Sequence, residues 1–376
     1  MNKSPLIMSL KKRHFFILTI SAIVQGVLLS CQKKDEPSQA SSKPFFISSK
    51  DSVKNSFVDT LQAKLTTDTS AFNEEKSLIK NRKNDSPLKD DPIESRESKI
   101  QNRSISKNAP KNDWKTWWNS LSKDWQQVFR QTLNYKGEAN ENFINRIWEL
   151  RSLSTDQVPI KTLKPLRELD KLEKLYLRGS EISDISDLAH LRHLREISLA
   201  QTPVQDISVL SHFADLEYIY LNETKVQSLE PLRNLFKIKT LWCYKTNVAD
   251  LSPLENLHDL VYLDCSSTFV RDLTPIGQLK SLRILNVSTT KVTSLEPIKD
   301  LHFIKYLYIE NTNIAKLEPI SHFKDLKKIY FSQTHISSLA PIAHMASLQE
   351  IKCSDSFVSK AEINEFAQRF PNCKIK

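Results

Sequence analysis

The chain has 376 residues, with 54 Lys plus Arg against 44 Asp plus Glu, and a formal net charge of +10. This excess does not mark a nucleic-acid reader, because residues 113–376 hold 34 basic and 32 acidic side chains, whereas a phosphate-binding domain concentrates positive charge on its folded surface. The four glycines are scattered, so the chain has no glycine-rich loop of the kind that cradles phosphate.

At the start, Lys3, Lys11, Lys12 and Arg13 precede an apolar run from Phe15 to Leu29. A cationic stretch before an apolar run too short to span a bilayer is the pattern of a secretory signal peptide. The run closes on LLSCQKKDE. Leu28, Leu29, Ser30 and Cys31 resemble the bacterial lipobox. That resemblance implies a lipoprotein signal peptide over residues 1–30, cleaved before Cys31, and acyl chains on Cys31 itself. At about 0.8 kcal/mol per buried methylene, several chains anchor a protein in effect permanently. An ordinary secretory signal with a chance cysteine is the alternative. The QKKDE that follows resembles a short signal that sends some Bacteroidetes lipoproteins to the cell surface. It implies an outer-membrane, surface-exposed location, with the periplasmic side as the other possibility.

Residues 31–112 comprise this cysteine and a stretch rich in Ser, Lys, Asp and Asn. Such a composition buries too little apolar surface to offset chain entropy, so a disordered tether is expected. Its coil would span on the order of 50 Å. Residues 113–160 then change character. WKTWWNSLSKDWQQVF sets Trp114, Trp117, Trp118, Leu121, Trp125, Val128 and Phe129 at helical spacing. ENFINRIWEL adds a second apolar helix through Phe143, Ile147 and Trp148. This segment is predicted to be a helical N-terminal cap.

From residue 161 to 361 the chain repeats every 22 residues without insertion, as in SVLSHFADLEYIYLNETKVQSL from Ser208 and EPIKDLHFIKYLYIENTNIAKL from Glu296. About nine copies share the frame xPLxxLxxLxxLxLxxTxVxxL, numbered below from the residue before Pro. The frame resembles the leucine-rich repeat in the 22-residue form of bacterial internalins. It implies an α/β solenoid: a leucine-rich repeat horseshoe with a concave parallel β-sheet, a 3₁₀ or irregular convex side and a helical N-terminal cap. Each copy buries its leucines only against its neighbours, so the ends need caps. Residues 362–376 read as a closing helix and a last strand. Where internalin-type repeats carry Asn after the strand, this chain has Thr or Ser at position 17, expected to form a similar ladder between coils.

No catalytic constellation emerges. Cys243, Cys265 and Cys353 replace the second core leucine of the strand and read as buried thiols. Their spacing matches no zinc pattern, and a pairing of Cys353 with Cys373 stays open. The pairs His190 and His212, then His322 and His344, fall on the outer turn, where other copies carry Asn, Gln or Asp. No enzyme activity, cofactor or metal is expected.

The informative positions flank the core leucines of the strand. Positions 11, 13 and 15 collect Tyr176, Tyr218, Tyr220, Trp242, Tyr244, Tyr262, Tyr306, Tyr308 and Tyr330, which is every tyrosine except Tyr135 and the one tryptophan outside the cap. With strands ~4.8 Å apart they should form two patches, one around Trp242 and one around Tyr308, separated by Asp264 and Asn286. Rigid aromatic side chains of this kind dominate binding hot spots. The expected function is non-enzymatic: a monomeric, membrane-anchored protein that grips a protein partner with its concave aromatic face. A glycan-binding surface lipoprotein is the alternative, and plain cross-strand packing of the rings is the bland one.

Overall fold

The computed structural model describes residues 113–155 and 158–376. The expected signal peptide, Cys31 and the tether lie outside the described residues.

The tryptophan-rich segment forms two helices where one was expected, α1 (Trp114–Ser120) and α2 (Lys123–Thr132), followed by α3 (Glu141–Trp148). The break has a local cause. Leu121 is extended, and the Ser122 hydroxyl accepts the Trp125 N–H at 3.3 Å, which starts a new helix. Asp113 and Asn140 cap α1 and α3 in the same way. Trp125, Val128, Phe129, Phe143, Ile144 and Ile147 turn inward and are almost fully buried. Trp125 Nε1 donates to the Thr162 carbonyl at 2.8 Å, tying the helices to the first repeat.

Eleven strands form one parallel sheet in sequence order. They are β1 (Ser152–Ser154), β2 (Lys174–Tyr176), β3 (Glu196–Ser198), β4 (Tyr218–Tyr220), β5 (Thr240–Trp242), β6 (Tyr262–Asp264), β7 (Ile284–Asn286), β8 (Tyr306–Tyr308), β9 (Lys328–Tyr330), β10 (Glu350–Lys352) and β11 (Lys374–Ile375). The sheet thus begins with β1, inside the stretch expected to be helical cap. Leu153 pairs with Leu175 and covers the otherwise open edge of the leucine core. At the other end, α4 (Lys360–Arg369) and β11 close the stack. The fold is a leucine-rich repeat solenoid, with a 3₁₀ turn opening each repeat from Lys164–Glu168 to Ala340–Ile342.

The turns follow from the repeat chemistry. Asp184, Asp206, Asp250 and Asp272, all at position 21, accept the backbone N–H two residues on at 2.8 Å and fix the entry into the 3₁₀ turn. After each of β2 to β10 the chain turns at position 16, where the backbone is left-handed, with φ from 51° at Asn311 to 59° at Glu223, and 70° at Gly179. Turning there aims the position-16 N–H at the next coil, as from Glu223 to the Tyr244 carbonyl and from Ser267 to the Ser288 carbonyl, both 2.9 Å. Ser180 at position 17 meets the Thr155 hydroxyl of the preceding coil at 2.9 Å, but the later position-17 hydroxyls do not form the ladder between coils that was expected of them. Thr224, Thr246, Thr268 and Thr290 donate to the position-14 carbonyl of their own repeat at 2.6 Å. In these repeats the hydroxyl turns back onto its own coil, so the main chain carries the ladder and the hydroxyl locks the turn.

The core residues of the strands, such as Leu263 and Leu285, are fully buried. Cys243, Cys265, Cys353 and Cys373 are buried and free. Lys374 pairs with Glu350, so Cys373 lies four residues out of step with Cys353, ~13 Å along the strand, too far for a disulfide. Burial pushes the Cys373 thiol up to about 11, which leaves it protonated and unreactive at neutral pH.

Candidate binding face

Side chains at positions 11 and 13 point away from the leucine core, and the parallel register stacks them. Tyr220, Trp242, Asp264, Asn286, Tyr308 and Tyr330 are successive partners across β4 to β9. Trp242 is the centre of the first cluster. Its ring meets Tyr220 edge-on at 5.0 Å and Tyr262 at 5.5 Å, with Tyr244 at 6.4 Å. In the second cluster Tyr308 meets Tyr330 edge-on at 5.0 Å, with the Lys352 ammonium 4.1 Å from the Tyr330 ring and that of Lys328 5.7 Å from Tyr306. Tyr218 stands at the edge of the first cluster, between Glu196 and Thr240 in the register. Tyr176 stands apart, hydrogen-bonded to Glu196, and burial together with that carboxylate pushes its hydroxyl far above the ordinary range.

The rings are less exposed than their positions suggest. Trp242, Tyr262, Tyr306, Tyr330 and Tyr176 are buried, Trp242 to 6% and Tyr306 to 2% exposure. Thr240, which would otherwise stand open beside Trp242, is fully covered. Strand spacing explains this. Bulky side chains on coils ~4.8 Å apart cover one another, so a row of rings seals its own centre. The half-buried rings Tyr218, Tyr220, Tyr244 and Tyr308 are the ones that face solvent. The face is therefore a rigid aromatic layer with four accessible edges.

Between the clusters, Asp264 accepts from the Ser266 N–H at 3.0 Å, the Ser266 hydroxyl at 2.7 Å and Asn286 Nδ2 at 3.1 Å. Asn286 in turn accepts the Ser288 N–H at 3.0 Å. Burial raises the Asp264 carboxyl above its ordinary value, and the bonds from Ser266 and Asn286 oppose that only in part. Asp264 and Asn286 thus work as turn caps facing each other. Two enclosed polar groups lie two residues beyond the strands, and of them the sequence pattern marked Tyr244 but not Asn222. Asn222 Nδ2 and Tyr244 Oη, on adjacent coils at position 15, are enclosed and have no hydrogen-bond partner among the described residues.

At the C-terminal end, Glu350 is 8% exposed and holds Lys376 at 2.6 Å and Lys328, itself 8% exposed, at 3.6 Å. On the outer turn, His190 Nε2 lies 3.0 Å from the Leu166 carbonyl and His344 Nε2 2.9 Å from that of Ser321, so these histidines brace the coil before them. Among the described residues no His, Cys, Asp or Glu group is arranged to hold a metal, and no helix is long and apolar enough to cross a membrane.

No family model and no curated protein matches the chain. Among solved structures it is similar to an internalin from Listeria monocytogenes, with 25% identity, TM-score 0.62, and 68% of this chain covering 74% of that one. It is also similar to a leucine-rich repeat protein of Leptospira interrogans, at 21% identity and TM-score 0.56, covering 60% of this chain and 59% of that one. The ectodomain of a plant membrane receptor kinase from Arabidopsis thaliana, solved in complex with a Casparian strip integrity factor, matches at 14% identity and TM-score 0.50, over 57% of this chain and 28% of that one. Repeat frame, sheet topology and structural neighbours agree that this chain folds as an internalin-like leucine-rich repeat protein.

Proposed function

We propose that the chain is a non-enzymatic binding protein whose aromatic sheet face holds a protein partner. One observation carries this reading: half-buried Tyr220, Tyr244 and Tyr308 stand on a layer of fully packed rings, so their edges are pre-positioned and little side-chain entropy is lost on contact. The plant neighbour supports the reading in kind, since its structure is that of a complex with a factor it binds. Exposed Lys174 and half-buried Lys352, at the two ends of the aromatic run, add charged contacts of the kind found around protein interfaces.

Capture from surface extracts by the full chain identifies the partner, and titration of the purified partner tests the face. Tyr220→Ala and Tyr308→Ala should each weaken binding at least tenfold, about 1.4 kcal/mol, while Gln278→Ala on the outer turn changes nothing. Unchanged affinity in both tyrosine variants would sink the proposal.

The same proposal places the protein on a membrane through acylated Cys31, at the outer cell surface, with residues 32–112 as a tether. Cys31→Ala should move the protein from the detergent phase to the aqueous phase. Unaltered partitioning would refute the anchor.

A further inference from the structure

A groove of about 670 Å³ runs along the turns that follow the strands, lined by positions 16 to 18 of five successive coils. The buried threonines at position 17 form its floor, and Phe269 and Phe357 stand at its ends, 49% and 66% exposed. Four coil steps separate the two rings, ~19 Å at the strand spacing. Both are held in place. His335 stacks on Phe357 with centroids 5.6 Å apart and planes 14° apart, and the Lys291 ammonium lies 5.3 Å from the Phe269 ring. They are two of the four large apolar side chains left exposed among the described residues, and the two that border one groove.

The groove does not suit an extended peptide. Its main-chain donors are already committed between coils: the N–H groups of Ser267, Asn311 and Gln333 reach the next coil, and those of Phe269, His335 and Phe357 reach the previous one, at 2.9–3.0 Å. The threonine hydroxyls of the floor donate to their own repeats. A strand laid here would find no main-chain ladder to join. What the groove does offer is side chains. Asn313, Gln333 and Asp355 line it, and their side-chain polar atoms make no hydrogen bond among the described residues. Amides present both donors and acceptors, which matches hydroxyl groups that are both. Lys291 and Asp355 balance in charge, so the lining favours an uncharged ligand.

We propose that this groove is a binding site for a neutral oligosaccharide. Phe269 and Phe357 supply flat apolar platforms for the C–H faces of two sugar rings, and the amides between them take the hydroxyls. The site is separate from the aromatic sheet face and does not depend on how that face is used.

Full-length protein is titrated calorimetrically with a panel of neutral hexasaccharides, including cellohexaose, maltohexaose, laminarihexaose and a mannohexaose. At least one should bind, and Phe269→Ala and Phe357→Ala should each lower its affinity at least tenfold without moving the thermal midpoint, because both rings are exposed. Gln333→Ala should weaken it as well. Phe236→Ala, an exposed ring outside the groove, and Tyr220→Ala on the sheet face should leave it unchanged. The proposal is overturned if no hexasaccharide binds, if binding survives loss of both groove rings, or if Tyr220→Ala abolishes it. Capture of an extended peptide that depends on Phe269 and Phe357 would likewise overturn the sugar assignment.

Discussion

Trp242→Ala should lower the stability of the protein by about 3 kcal/mol, read as a drop in the denaturation midpoint. The ring is 6% exposed and touches Tyr220, Tyr244 and Tyr262 from three sides. Truncation therefore opens a hole in the layer, with little room for the backbone of a fixed solenoid to close it. On sequence position alone, the ring projects outward between core residues Leu241 and Cys243, and its removal would cost binding and leave folding nearly intact. The packing corrects this. Trp242 is the keystone of the layer, and loss of binding in Trp242→Ala would follow from the collapse of its neighbours. Tyr220→Ala and Tyr308→Ala remove half-buried rings and should cost much less in folding, so the binding test belongs to them. A Trp242→Ala protein as stable as the parent would show that the layer does not pack as described.

Glu350→Ala should cost about 3 kcal/mol, because it removes the carboxylate that faces the nearly buried Lys328 ammonium at 3.6 Å. Tyr306 also lies near that ammonium, 5.7 Å from the ring centroid, and a ring face replaces only part of a carboxylate. Replacing both partners by Met should recover most of the loss, since the cost lies in the uncompensated charge. The pair also gives stability a pH dependence of known sign. Burial alone would raise the Glu350 carboxyl, but hydrogen bonds from Lys376 and Tyr330 and the charge of Lys328 hold it below its ordinary value. A carboxyl lowered in the folded state contributes stability above its unfolded pKa and loses it as pH falls through the folded one. Denaturant midpoints at pH 7 and pH 3 should therefore converge between the parent and Glu350→Ala. A gap that stays constant with pH would mean the carboxylate charge does not matter there.

Asp264 has the opposite sign. Its carboxyl is raised by burial, so its contribution is fully present below the unfolded pKa and is lost as pH rises through the folded one. Its bonds to Ser266 and Asn286 limit that cost at neutral pH.

The repeat frame by itself determined the parallel strands, their register, the 3₁₀ turns and the identity of the core. A 22-residue period without insertion admits one stacking, and each leucine has only its counterparts in adjacent coils to bury against. The alternation along each strand likewise assigned every tyrosine but Tyr135 to one face, as period-2 geometry requires. Exposure along that face was a different matter. Position 13 looks the same in Trp242 and Tyr308, yet one is sealed and the other half open, because coverage depends on the size of side chains on the neighbouring coils. The role of the position-17 hydroxyls also needed coordinates, since only the left-handed turn at position 16 shows the main chain reaching the next coil first. The groove between Phe269 and Phe357 stayed hidden for a related reason: residues 88 apart in the chain are joined by four coil steps in space, and nothing in either local sequence marks the other.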